Sequence, residues 1–383
     1  MESIELTIDG TRVTAEEGQT VLEAALACGI YIPHLCFHPD LRPKAGEPPV
    51  KVPHLPARER VNNYREVEHN VSDKSGIREG ERCHKCDTQC RLCLVEIEGL
   101  GITTSCNTPV APNQVVRTDT PRIETFRRAC LDAILANHDG DCLTCFKNTE
   151  CKLQEVAGYL GAFERAYRPD PSRPRRYEID DTNPFYAYDP NKCILCGNCV
   201  TTCEEIQGVN AIDFAFREYE PVPRKIVDSR CESCGECVSR CPVGALIPKR
   251  FEKPSREVST VCTYCGVGCG ILLGVRGDRV VSARANRHSP VNRGNLCVKG
   301  RFGWEFVNHP DRLKKPLVKK DGVFVETGWD EALDLVAARF GRYTGDAFAA
   351  FASARVPCED NYVFQKFTRA VMQTNNVDHC ARL

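Results

Sequence analysis

At 383 residues, with 42% hydrophobic content, 24 Pro and 27 Gly, the chain is long enough for about two to four domains, and its composition favours several small modules over one large core. Its 51 Lys and Arg against 52 Asp and Glu give a formal net charge of -1, which leaves no overall field that calls for nucleic acid. The 25 Cys decide the class: MESIELTIDG has neither the basic start and apolar run of a signal peptide nor a twin-Arg motif, and no segment approaches the length of a membrane span. A cytoplasmic, reducing setting is therefore expected, in which grouped Cys bind metal rather than form disulfides.

In chain order, SIELTIDGTRVTAEEGQTVLEAALACGI opens with the alternating apolar residues Ile4, Leu6 and Ile8, turns at Asp9-Gly10 and resumes through Val13. A helix follows, marked by the Thr20-x-x-Glu23 capping box and closed at Gly29. The Pro-rich, charged stretch from about 42 to 82 reads as an inserted loop. Pro121 begins a helix whose expected apolar face is Ile123, Phe126, Leu131, Ile134 and Leu135, ending near His138. A linker with an Arg cluster spans 165 to 189, most simply a solvated or docking surface. Beyond it lies an internal repeat of about forty residues, and past Ser255 the chain is expected to be α/β in character. The stretch FAAFASARVPCEDNYVFQKFTRAVMQTNNVDHC has the strand, helix, strand rhythm of a parallel sheet.

The repeat is the strongest chemical signal. Cys193, Cys196, Cys199 and Cys203, and then Cys231, Cys234, Cys237 and Cys241, each read C-x2-C-x2-C-x3-C. This spacing wraps three thiolates around one [4Fe-4S] cluster and sends the fourth to its neighbour. Cys241 is thus expected with Cys193, Cys196 and Cys199, and Cys203 with Cys231, Cys234 and Cys237. Zinc pairs are usually separated by longer spacers, and inert buried thiols do not repeat in this way.

Upstream, Cys36, the pair Cys90 and Cys93, and the distal Cys106 make the thiolate set of a [2Fe-2S] ferredoxin, and the strands and capped helix before them fit a β-grasp fold. Cys83 and Cys86 in RCHKCDTQC leave open a second small metal site, a redox thiol pair, alternative ligands or inert loop thiols. Cys90 and Cys93 are preferred because LVEIEG follows them, as a strand should follow the cluster loop. In HDGDCLTCFKNTEC, Cys142, Cys145 and Cys151 are one ligand short of a four-iron cluster. His138, which taken alone is more often a helix-end histidine, becomes the expected fourth, and an imidazole in place of a thiolate raises the cluster potential. In VCTYCGVGCG, Cys262, Cys265 and Cys269 are completed by Cys297 of GNLCVKG, with glycines that let the backbone pass close to a cluster and Lys299 as a nearby point charge. These assignments use nineteen of the 25 Cys. Of the remaining six, Cys28, Cys130, Cys358 and Cys380 are expected to be small buried hydrophobes. One [2Fe-2S] and four [4Fe-4S] clusters form an electron wire.

With those motifs in place, the order of a [2Fe-2S] centre, a cluster with one His and three Cys ligands, and twin ferredoxin clusters resembles the N-terminal half of both the large iron-sulfur subunit of respiratory complex I and the [FeFe] hydrogenases. CTYCGVGCG through GNLCVKGRFGWEFVNHPDRL is similar to the first domain of molybdenum or tungsten bis-pterin enzymes, most closely formate dehydrogenases, and EDNYVFQKFTRAVMQTNNVDHCARL strengthens that likeness. The resemblance implies oxidation of formate to CO2, or the reverse, at Mo or W held by bis-molybdopterin guanine dinucleotide. It also implies a role for Lys299 in passing electrons between the proximal cluster and the pterin. A metal-ligating selenocysteine or cysteine is implied immediately after Leu383, and reading of a selenocysteine codon as stop would explain the break there. The implied partner is a flavin/NAD-type diaphorase subunit, or a ferredoxin- or hydrogenase-type electron-transfer subunit, with no direct membrane insertion. The rival reading is a non-catalytic multi-cluster electron-transfer subunit like the complex I arm. A hydrogenase reading is weaker, because no Cys-rich active-site motif follows the ferredoxin repeat.

The expected fold class is α+β multi-domain. A β-grasp [2Fe-2S] domain (1–120, with the 42–82 insertion) precedes a [4Fe-4S] module with one His and three Cys ligands (121–164) and the linker (165–189). A 2x[4Fe-4S] ferredoxin-like module (190–250), an iron-sulfur domain of molybdopterin type (256–316) and the start of the α/β bis-pterin fold (317–383) complete the chain.

Overall fold

The computed structural model describes residues 3–41, 90–138, 140–162, 177–215, 222–225 and 231–380. The insertion from 42 with Cys83 and Cys86, most of the Arg-rich linker and the last three residues lie outside the described residues. The chain divides into two compact units, Met1–Cys231 with Arg240–Ile247 and Glu232–Ser239 with Pro248–Leu383. No described helix is long and apolar enough to cross a membrane.

In the first unit, strands β1 (Ser3–Ile8) and β2 (Thr11–Glu16) pair antiparallel around Asp9 and Gly10. Those two residues have φ of 49° and 80°, the paired left-handed conformations of a tight hairpin turn, which explains a glycine there. Strands β3 (Leu94–Ile97), β4 (Gly101–Thr104) and β5 (Val115–Arg117) complete a five-stranded sheet in the order β2-β1-β5-β3-β4, with β5 parallel to β1. Helix α1 (Val21–Ala27) starts at the expected capping box, where the Glu23 N–H donates to Thr20 Oγ1 at 3.3 Å and the Thr20 N–H to Glu23 Oε2 at 2.8 Å. Leu6, Ile8, Val13, Val21, Leu22, Val95 and Val116 fill one core, and Cys93 and Cys106 belong to it.

Helix α2 (Pro121–Asn137) is capped by Thr120 and ends at His138. Its buried stripe is Ile123, Arg127, Leu131 and Leu135, a strict i, i+4 row. Phe126, expected on the apolar face, is 46% exposed, one position off that row. The nearly buried Arg127 takes its place and donates from Nη2 to the Leu94 carbonyl at 2.7 Å, which ties the helix to β3. Helix α3 (Lys152–Tyr159) follows, then β6 (Tyr186–Tyr188), the short helix α4 (Asn198–Thr201) running into a wider turn, and the β7–β8 hairpin (Ile212–Ala215, Val222–Lys225). Helix α5 (Glu236–Arg240) and strand β9 (Leu246–Pro248) carry the chain out of the repeat.

The second unit departs from the α/β expectation at its start. Strands β10 (Arg256–Val261), β11 (Gly270–Arg276) and β12 (Arg279–Ala285) form an antiparallel meander with a register shift at Gly274/Val275. Helix α6 (Val298–Phe302), the β13–β14 hairpin (Leu317–Lys320, Val323–Glu326) and helix α7 (Trp329–Phe340) come next. The expected parallel unit is present at the end, as β15 (Ala350–Ala352), helix α8 (Cys358–Ala370) and β16 (Val377–His379).

Candidate iron-sulfur centres

Sulfur placement begins with the first core. The Cys36 and Cys90 sulfurs lie 3.5 Å apart, and the Leu35 N–H points at Cys90 Sγ at 3.4 Å. Cys36 is held well below the ordinary thiol range because the Cys106 and Cys90 thiols donate to it, and Cys93 is lowered chiefly by donation from Cys106. Cys90 and Cys106 are raised, each first by donation to Cys36. Four thiols in this mutual contact are a donor set that a [2Fe-2S] cluster fits. Ser105, fully buried, fixes their spacing by donating from both N and Oγ to the Cys93 carbonyl, at 2.9 and 2.7 Å. Nothing in sequence spacing pointed to Ser105.

His138 is buried at the C-terminal cap of α2, and Cys151 is the N-cap of α3. Burial pushes the Cys151 thiol up, and Cys145 and Cys142 add to the shift, so these three sulfurs share one neighbourhood. The module leans on the repeat: Gly244 is in contact with Cys145 Sγ, where a Cβ would overlap the sulfur, and the Lys152 N–H donates to the Pro242 carbonyl at 3.0 Å.

Within the repeat, Cys241 lies near cysteines of the first tetrad. Burial raises Cys196, with Cys241 and Cys193 next among the causes, and pushes Cys193 up to about 11. The buried Tyr188 hydroxyl is raised by burial and then by Cys193, with Cys199 and Cys241 contributing. Cys193, Cys196 and Cys241 thus lie near one another, and Cys193, Cys199 and Cys241 near the Tyr188 hydroxyl. The two loops fold alike: Leu195 and Gly197 have φ of 56° and 75°, and Ser233 and Gly235 have φ of 55° and 75°. Those left-handed residues turn the backbone tightly between the cysteines, and the Leu195 N–H points at Cys193 Sγ at 3.4 Å. Of the second set, Cys203 and Cys231 fall in the first unit and Cys234 and Cys237 in the other. In the first unit the Ala211 N–H donates to Cys203 Sγ at 3.2 Å and the Tyr186 hydroxyl lies 3.6 Å from Cys231 Sγ.

In the second unit, Cys262 and Cys269 are bridged by a 2.8 Å backbone bond from N–H to carbonyl. Burial raises both thiols. Cys297 and Cys265 act on Cys262, and Cys262, Cys265 and Cys297 act on Cys269, so this quartet too is gathered. Cys297 is the N-cap of α6. Gly300 faces the quartet closely, since a Cβ there would meet Leu296 at 3.2 Å and Cys262 Sγ at 3.6 Å. Lys299 is exposed on the same helix.

Among the described residues, no three His, Cys, Asp or Glu side chains converge as one metal ion would require. A cluster spreads its ligands over two or four irons instead. Three of the spare cysteines contradict the expectation of burial: Cys28 ends α1, Cys358 begins α8 and Cys380 follows β16, and each is exposed. At these three positions the end of the element faces solvent, so the apolar character of the thiol does not carry it inside.

Comparison with known proteins gives a consistent order of domains. A 2Fe-2S iron-sulfur cluster binding domain matches 1–48 and 69–121, the NADH-ubiquinone oxidoreductase-G iron-sulfur binding region matches 127–165, and a 4Fe-4S dicluster domain matches 192–245. The Molybdopterin oxidoreductase Fe4S4 domain matches 255–309 and the Molybdopterin oxidoreductase model matches 312–383. A G-type NADH-quinone oxidoreductase subunit of Rhizobium meliloti is 35% identical over 99% of this chain and 40% of its own length. The alpha subunit of the NADPH-Fe(3+) oxidoreductase of Geobacter sulfurreducens has the same identity and shares. A Staphylococcus haemolyticus protein provisionally named a formate dehydrogenase is 30% identical over 100% of the chain and 39% of its own length. The chain thus spans about 40% of the length of these relatives. Taken together, the matches show a chain whose last part, 255–309 and 312–383, is similar to molybdopterin oxidoreductases and whose preceding iron-sulfur domains are similar to those of the G-type NADH-quinone oxidoreductase subunits.

Proposed function

We propose that the chain is the electron-carrying part of a formate dehydrogenase catalytic subunit. The observation that carries this reading is the Cys262, Cys265, Cys269 and Cys297 quartet on helix α6 and its neighbouring sheet, followed directly by residues that match a molybdopterin oxidoreductase. One [2Fe-2S] cluster would be held by Cys36, Cys90, Cys93 and Cys106. Four [4Fe-4S] clusters would be held by His138 with Cys142, Cys145 and Cys151, by Cys193, Cys196, Cys199 and Cys241, by Cys203, Cys231, Cys234 and Cys237, and by the Cys262 quartet.

A bis-molybdopterin guanine dinucleotide with Mo or W, when bound, supplies the site at which formate is converted to CO2 with release of a proton and two electrons. The part of the chain present here does the rest. Its cysteines and His138 would hold clusters whose irons take up electrons one at a time, and Lys299 offsets charge beside the Cys262 quartet. The electrons leave to a partner, a flavin subunit of diaphorase type or a ferredoxin- or hydrogenase-type subunit.

A second reading, a non-catalytic electron-transfer subunit, is favoured by the likeness to the Rhizobium meliloti protein, whose name makes it one subunit of an NADH-quinone oxidoreductase. The test is intact mass with Fe, Se, Mo and W on the protein from its native host, and reduction of its clusters by formate. A mass well above 42.8 kDa with Mo or W and formate-dependent bleaching supports the dehydrogenase. Full iron without Mo or W, and no response to formate, leaves the electron-transfer subunit.

A further inference from the structure

Glu236 is 0% exposed and sits between Gly235 and Cys237, inside the second tetrad. Its carboxylate accepts the Leu296 N–H at 2.6 Å, one residue before Cys297, and pairs with the buried guanidinium of Arg301. Arg301 spends another donor on the tetrad itself, from Nε to the Cys234 carbonyl at 2.9 Å. Its own N–H bonds the Cys297 carbonyl at 3.2 Å. The Ser239 hydroxyl donates to the Glu236 carbonyl at 2.9 Å and steadies the loop from below. Gly235 completes the fit: a Cβ there would stand 2.5 Å from Arg301 Cδ and 2.7 Å from the Phe302 ring. The Cys234–Cys237 loop and the Leu296–Phe302 segment, each carrying candidate ligands of a different cluster, are therefore locked together by one buried carboxylate and one planar fork of donors.

A buried ion pair is poor evidence for stability, because apolar residues of similar size often serve as well. What it supplies is geometry, since a guanidinium fixes its partners in a plane as an ammonium cannot. We infer that the Glu236–Arg301 pair is a spacer: it fixes the separation of the cluster held through Cys234 and Cys237 from the cluster held by Cys262, Cys265, Cys269 and Cys297, and thereby the rate of the electron step between them. This rests on the electron-carrier reading above. Both are positioning residues, acting through the backbone at Cys234, Leu296 and Cys297.

The test compares two variants of the assembled holoenzyme. Glu236→Gln loses charge but keeps an oxygen that accepts from both Leu296 and Arg301. Arg301→Lys keeps charge but loses the fork and the bond to Cys234. Iron content, the spin–spin broadening between the two reduced clusters in EPR spectra, and freeze-quenched electron transfer are read for each. The expected result is full iron in both, near-native broadening and rate in Glu236→Gln, and loss of the broadening with slowed transfer in Arg301→Lys. The opposite order would make the role electrostatic and overturn the spacer. Unchanged broadening and rate in Arg301→Lys would also overturn it, as would loss of iron from either cluster, which would make the pair a structural prop of the ligands. If the unsubstituted enzyme shows no two interacting clusters, the electron-carrier reading falls and the spacer with it.

Discussion

The N-terminal sheet and the segment from β13 onward obey the same local rules and end in opposite states. In the first, every apolar position of β1, β2 and α1 that faces inward finds a partner, and Leu6, Ile8, Val21 and Leu22 are fully enclosed. In the second, α7 has no buried residue, β14 is exposed along its length, and Trp329, Leu333, Phe351, Tyr362 and Val363 all face outward. Amphipathic patterning is enough to form an element, whereas burial needs a second layer. The difference bears on ligation. Cys93 and Cys106 are held by a closed core, which can keep two sulfurs in register when no metal helps. The last two spare cysteines, Cys358 and Cys380, sit on a surface without such support.

That contrast can be broken at several points. Leu22→Ala should cost about 2–5 kcal/mol, because the enclosed site cannot fully collapse around the lost atoms. Urea unfolding followed by visible absorption of the holoprotein measures it, and a cost under about 1 kcal/mol would mean that the first core is not self-supporting. Thr20→Ala removes the hydroxyl that accepts from the Glu23 N–H, while the backbone N–H of residue 20 can still donate to Glu23, and should cost about 1 kcal/mol in the same titration. Leu333→Ser, at a residue 57% exposed, should cost about 0.5 kcal/mol or less and lower the binding of a hydrophobic dye. A cost near about 2 kcal/mol in the working enzyme would show that another layer covers α7 there.

Local signals were legible. The Asp9-Gly10 turn, the Thr20 cap and the β15, α8, β16 unit lie where a few neighbouring residues specify them. The grouping of cysteines far apart in sequence was legible too, because a thiol announces its chemistry by type. Hence Cys36 could be matched with Cys90 across 54 positions, and a strand does follow Cys93 as expected. Residues that act through long-range contact without a distinctive type were not legible. Arg127 displaced Phe126 from the buried stripe because only the fold reveals the Leu94 carbonyl waiting for a donor. Glu236 and Arg301, 65 positions apart, carry no motif that links them, and only the fold buries them together. The antiparallel meander at β10 to β12 was missed because its short apolar runs suit either kind of sheet.

If Cys241 completes the first tetrad, as the repeat spacing expects, cluster assembly has a consequence in time. A cluster that needs Cys193, Cys196, Cys199 and Cys241 cannot close on the nascent chain until about 42 further residues have been added after Cys199, a delay of about 2–8 s at ordinary elongation rates. The first three thiols must wait, open to oxidation and to the wrong metal, while the remainder is made. On that assignment, brief exposure to oxygen during synthesis should harm the protein more than the same exposure afterwards.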